Sequence, residues 1–124
     1  ELSDVPIHTI AGGVVVYVRT GCPSSTQFSD NTILRECGAG WGNHLVIAHG
    51  NNIYSRYGHM RFDGIYKKVG DKVNKDEIIG LMGNSGRSEG RHLHLEIGYY
   101  SGDFDSCEPS KSFDFVLNPA TYGF

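Results

Sequence analysis

The 124-residue sequence has no long apolar run. Nothing in it approaches the ~20 consecutive apolar residues that cross a bilayer as a helix, and no secretory leader is visible. It also lacks a basic tract. Lys67-Lys68 is its longest cationic run, and a net charge of −3 argues against a nucleic-acid footprint. No window sustains an apolar period of 3.6 residues over three turns, and no internal repeat or low-complexity tract stands out. What is present, 39% hydrophobic and 20% charged residues, fits a globular chain rather than a disordered one. The length suits one compact domain, residues 1–124, and is too short for two. The sequence starts at Glu1 without a methionine and already inside ordered-looking sequence, so it reads as a processed or excised piece.

Cysteine is scarce, with three residues: Cys22, Cys37 and Cys107. Cys22 and Cys37 bracket "CPSSTQFSDNTILREC", a polar stretch with little apolar periodicity that reads as a long loop. A disulfide closing it would stabilise the fold by about 3 kcal/mol and imply an oxidising compartment. Two unpaired thiols are the alternative, because pairing does not follow from sequence. No second ligand stands two residues from any cysteine, which argues against a cysteine zinc site. Cys107 is left over.

Strand signals dominate the rest. "GGVVVYV" (12–18), "NHLVIAHG" (43–50), "IYSRYGHM" (53–60), "DEIIGLMG" (76–83) and "RHLHLEIGYY" (91–100) are β-branched, aromatic or alternating runs separated by turn residues. The second and third flank Asn51-Asn52 and are expected to pair as a hairpin. Glycine, 17 residues, falls mostly at strand ends. The expected fold is all-β, an antiparallel β-sandwich or partly open barrel. The aromatic tail "SFDFVLNPATYGF" would cover one sheet edge, and Pro119 argues against a long final helix.

Six histidines carry the chemical interest: His8, His44, His49, His59, His92 and His94. In a strand, residues two apart share a face at roughly 6–7 Å. "RHLHLEI" therefore places His92, His94 and Glu96 on one face, with Leu93, Leu95 and Ile97 as the core face. A metal held by one imidazole would leave the other within reach of an activated water. Two exposed imidazoles on a surface strand are the plain alternative. His44 and His49 have opposite parity on one strand and cannot share a groove. His44 is expected as a solvated strand residue, His49 as a structural or surface one.

The neighbouring motifs decide between these readings. "GLMGNSGRSEGRHLHLEIG" (80–98) resembles the glycine-rich turn and H-x-H strand of the M23 zinc metallopeptidases, the LytM/lysostaphin-like peptidoglycan hydrolases. "VPIHTIAGGVVVYV" (5–18), "GWGNHLVIAHGNN" (40–52), "YSRYGHM" (54–60) and "VGDKVNKDEIIGLMG" (69–83) resemble further family motifs, in the family's order. The resemblance spans nearly the whole chain and implies the duplicated hybrid-motif fold of that family. It implies His94 as a zinc ligand, His59 and His92 as the catalytic histidines, and Asn43 and Tyr57 as supporting groups. Glu96, on the H-x-H face, would orient an imidazole or stand as a surface carboxylate.

The same resemblance calls for a second histidine and an aspartate, in an H-x-x-x-D motif whose place would lie before Glu1. Asp4 and His8 have that spacing in reverse order and could face one metal from a strand, but His8 is better read as a groove-side or packed residue. Arg91, Glu89 and Leu95 depart from the usual proline, threonine and phenylalanine. Function follows as an expectation. It is a zinc endopeptidase cutting peptide bonds of bacterial peptidoglycan outside the cytoplasm, with part of its metal site beyond these residues. The alternative is a degenerate M23-like module that binds or regulates cell-envelope partners. A biotinyl- or lipoyl-type carrier, suggested by the 69–83 hairpin, lacks the exposed hairpin lysine in its usual setting and has no use for H-x-H.

Overall fold

The computed structural model describes residues 5–20, 42–83, 94–102 and 112–116. Eight strands run through them: β1 (Pro6–His8), β2 (Gly13–Arg19), β3 (Asn43–Gly50), β4 (Ile53–Ile65), β5 (Lys72–Val73), β6 (Ile78–Met82), β7 (His94–Tyr99) and β8 (Phe115–Val116). They form one strongly curled antiparallel sheet, a half-barrel, with no helix among the described residues. The order is β1-β6-β4-β3-β2-β5, with β7 on β4 and β8 on β7. The proposed Cys22–Cys37 bridge, Cys107, Asp4, Glu89, Arg91, His92 and Leu93 lie outside the described residues, as does the side chain of His94.

The hairpin of β3 and β4 is the backbone of the sheet. Its two-residue loop, Asn51-Asn52, holds φ of 55° and 63°, as a type I′ turn requires; the turn's twist matches that of the strands it joins. Asparagine is among the few non-glycine residues that tolerate this region. Apolar residues on both parities of β3 explain its depth. Leu45 and Ile47 pack with Ile7, Val15, Tyr57, Met60, Val73 and Ile79, whereas Val46 packs on the other face with Tyr17 and Tyr54. A strand covered on both sides needs such a continuous apolar run.

Bulges set which residue faces which side. Val15 pairs with Ile47 but Tyr17 with Val46, so two steps along β2 match one along β3. The extra residue turns Tyr17 away from the face of Val15. On β4 the same device acts at the site. Leu45 faces Tyr57 and Asn43 faces Met60, so Gly58 and His59 together oppose His44. Met60 thereby returns to the core cluster of Tyr57, three residues earlier, where a regular strand would send it to the opposite face.

β4 also changes partners here. One edge pairs with β3 along its first half, and the other pairs with β7 from Ile53 to Gly58, then with β6 from Met60 to Ile65. His59 sits at the exchange. Gly83, just after β6, donates its N–H to the His59 carbonyl at 3.1 Å. A Cβ on Gly83 would stand 2.4 Å from the Arg61 nitrogen, so only glycine fits this approach.

Candidate functional site

His59 has φ of 56°, a left-handed backbone that costs a residue with a side chain roughly 1–2 kcal/mol. The bulge moves it off the core parity of Ser55 and Tyr57 to the face of Arg56 and His44. Bulges that re-aim a side chain beside an active site are a recurring device. The ring is buried, 4% exposed. On the adjoining strand His94 pairs with Gly58, so the register sets the second H-x-H histidine beside the bulge. His59 and His94, 35 positions apart in sequence, thus meet at one place on the sheet.

Asn43 braces that place. It is fully buried, and its Nδ2 donates to the Met60 carbonyl at 3.2 Å, immediately beyond His59. Tyr57 works from the opposite face. It is buried in the core cluster, with its hydroxyl 2.8 Å from Ser55 Oγ, 3.2 Å from Thr9 Oγ1 and 3.1 Å from the Ile10 N–H that donates to it. Ser55 Oγ in turn lies 2.7 Å from His49 Nε2, and His49 Nδ1 donates to the Gly12 carbonyl at 2.8 Å. His49 is therefore a structural residue that ties β3 to β4 and to the start of β2. Burial lowers its pKa, opposed by the Gly12 hydrogen bond. The exposed His8 donates from Nδ1 to the Asp76 carbonyl at 2.8 Å, which ties β1 to the turn before β6.

Two expectations need correction. His44 is not a solvated strand residue. It is fully buried opposite the bulge, stacked on Tyr17 at 5.4 Å between ring centroids, with Nδ1 donating to the Gly42 carbonyl at 2.8 Å. Its pKa is lowered to about 4, first by burial and then by the positive fields of Arg56, Arg19 and His59, with the Gly42 bond opposing. The ring is neutral near pH 7. The second correction concerns the apolar face of β7. Ile97 is buried, but Leu95 stays 39% exposed. Among the described residues, β8 covers β7 only at Gly98 and Tyr99, leaving the end near Leu95 without a neighbour on that edge.

Glu96 is not a simple surface carboxylate. It pairs with Arg56, whose Nη1 donates to Oε1 at 2.7 Å. Arg56 is fully buried, and its guanidinium carbon stands 4.3 Å from the centre of the Phe113 ring. Burial lowers its pKa, while the Glu96 carboxylate pulls the other way. Sequence reading missed Arg56, His44 and Phe113. A signal existed for the first: Arg56 and Glu96 are opposite charges, three residues before His59 and two after His94, on strands already assigned. What was missing was the register that sets them opposite each other.

No group of three His, Cys, Asp or Glu side chains able to hold a metal occurs among the described residues. The described part of the site is a neutral buried imidazole, a re-aimed histidine and an ion pair on one face of a curled sheet.

That fold is shared with a class of β-sheet peptidases. The sequence model of peptidase family M23 matches residues 2–106, and the chain belongs to that family. The peptidoglycan DD-endopeptidase ShyA of Vibrio cholerae is 38% identical over 92 residues, 74% of this chain and 17% of the relative. The chain thus spans about a sixth of that relative's length. Among solved structures, a variant of the catalytic domain of the prophage-encoded M23 protein EnpA from Enterococcus faecalis superposes with a TM-score of 0.67 at 29% identity. That match covers 100% of this chain and 74% of the other. A zinc-containing peptidase from Vibrio cholerae gives a TM-score of 0.57 at 30% identity, covering 78% of this chain and 24% of the other.

Proposed function

We propose that residues 1–124 form the peptidase domain of a zinc-dependent endopeptidase that cleaves peptide bonds of bacterial peptidoglycan outside the cytoplasm. The observation that carries this reading is the Gly58-His59 bulge, which turns His59 to the sheet position where the register sets His94. A left-handed non-glycine residue is costly, and its occurrence at a motif histidine fits a functional demand on that side chain. ShyA's activity on peptidoglycan and the zinc of the Vibrio cholerae peptidase support the substrate and the metal.

In this proposal His94 is the zinc ligand that this chain contributes. The described residues hold no complete donor set, so the other ligands come from outside them and no step is derived through the metal. When bound, zinc would supply Lewis-acid polarisation of the scissile carbonyl and a lowered pKa for water. His59 and His92 are the proton-handling pair. One imidazole nitrogen accepts a proton from the attacking water, and the other donates to the leaving amine or the developing oxyanion. Asn43 holds the backbone beyond His59, and the His44 ring, on the residue that opposes the bulge, carries no charge.

The test uses the full-length source protein, purified cell-wall sacculi and chromatography of the released fragments, with zinc measured by elemental analysis. Wild type should carry about one zinc and release fragments with newly exposed peptide amines. His94→Ala should lose both zinc and cleavage, whereas His59→Ala and His92→Ala should lose cleavage and keep zinc. Full lytic activity in any of the three would overturn the residue assignment. Intact sacculi with a zinc-free wild type would instead support the noncatalytic envelope module.

A further inference from the structure

The H-x-H strand is held to its neighbour by an arrangement that the chemistry above does not use. Arg56 and Glu96 face each other across β4 and β7, one register step of two residues from the Gly58–His94 pair. Arg56 is fully buried and bonded to Glu96 at 2.7 Å, while the Glu96 side chain keeps 22% exposure. Phe113 lies against the guanidinium at 4.3 Å and stacks on Tyr54 at 6.1 Å between centroids. Its ring fills the space that a side chain on Gly98 would need, since a Cβ there would meet Phe113 Cδ2 at 2.3 Å.

We propose that the buried Arg56–Glu96 pair, capped by Phe113, is a positioning device that locks β7 in one register on β4 and so fixes His94 against His59. The roles of those two histidines rest on the proposed function. Ladder hydrogen bonds between backbones re-form in any register of the same parity, so side chains must choose among them. A slip of one residue would turn every β7 side chain to the other face. A slip of two would keep the face but carry His94 about 6.8 Å along the strand. Either slip leaves Arg56 buried without its carboxylate, and the two-residue slip also drives Glu96 or Tyr100 into the place of Gly98. Only the observed register satisfies the charge and the ring together.

The lock is needed at this end of β7. Among the described residues β8 pairs with Gly98 and Tyr99 alone, so the stretch bearing His94 is held through β4. Phe113 lies beyond residue 106, where the family match ends. Buried ion pairs add little net stability against apolar replacements of equal volume, and a role in specifying one arrangement is their better-attested use.

The experiment compares the full-length source protein with Arg56→Met/Glu96→Leu and with Glu96→Asp. It measures kcat and KM on sacculi and hydrogen exchange at the β7 amides. The double variant removes both charges while keeping apolar volume. It should melt within a few degrees of wild type, lose at least tenfold in kcat with KM within twofold, and exchange its β7 amides at least tenfold faster. Glu96→Asp retains the carboxylate and should keep kcat within about threefold. Where the double variant fails to fold, Glu96→Gln gives the same exchange readout. Wild-type kcat together with wild-type β7 exchange in the double variant, or in Glu96→Gln, would overturn the lock. A wild-type protein inactive on sacculi would sink the proposed function instead, and the exchange measurement would still decide the lock.

Discussion

Replacing His59 once by glycine and once by alanine tests the left-handed bulge directly. Both changes remove the imidazole, so the two variants differ by a single methyl group on a backbone held at φ of 56°. In an ordinary strand alanine is favoured over glycine by about 0.5–1 kcal/mol, because glycine loses more freedom on folding. At a left-handed position the Cβ costs about 1–2 kcal/mol, and the entropic advantage of alanine, about 0.4–1 kcal/mol, offsets only part of it. The expected order therefore inverts, with His59→Gly more stable than His59→Ala by about 0.5–1 kcal/mol. For 124 residues the unfolding entropy is about 0.26 kcal/mol/K, at roughly 2.1 cal/mol/K per residue, so the gap in Tm is about 2–4 °C. Calorimetry and urea denaturation at one pH, with both variants inactive on sacculi, are the assays. An alanine variant that melts above the glycine one would refute the bulge, and with it the argument that brings His59 to the face of His44.

His44 gives a pH signature. Its folded pKa of about 4 lies below the ordinary 6.5, so between those values the unfolded chain binds a proton that the fold does not. Stability from this group is fully present above pH 6.5 and is lost as pH falls toward 4, amounting to about 2 kcal/mol between pH 7 and pH 5. His44→Phe should flatten that part of the urea-midpoint profile; an unchanged slope would show that His44 titrates normally. Tyr57→Phe removes a hydroxyl shared by Ser55, Thr9 and the Ile10 N–H, and should destabilise the fold by about 1–3 kcal/mol in urea denaturation. The 124-residue chain by itself should bind zinc weakly or not at all by calorimetry, and tight stoichiometric zinc would revive Asp4 and His8 as ligands.

Most of the sheet was legible in the alternation and turn residues. β3 was expected at 43–50 and runs over Asn43–Gly50, and the Asn51-Asn52 turn marks its hairpin. β4 continues five residues past its expected end, to Ile65, because β6 offers it a second partner after the bulge. No local pattern announces such an exchange. His44 shows the same limit: a histidine beside Asn43 at the start of a strand reads as solvated until Tyr17, brought over by its own bulge, covers it. Leu95 errs the other way, apolar in sequence yet exposed where β4 flanks one edge of β7 and no described strand flanks the other.

By itself the sequence determined the strand content, the hairpin and the family, because periodicity, turn chemistry and ordered motifs are local properties of the chain. It also named His59 and His94 through motifs of the family. Tertiary structure alone decided that their backbone positions adjoin on the sheet. Facing depends on parity, and a single inserted residue reverses parity without altering composition or pattern. The Arg56–Glu96 pair and the Phe113 cap bring together residues up to 57 positions apart, which only the assembled sheet defines.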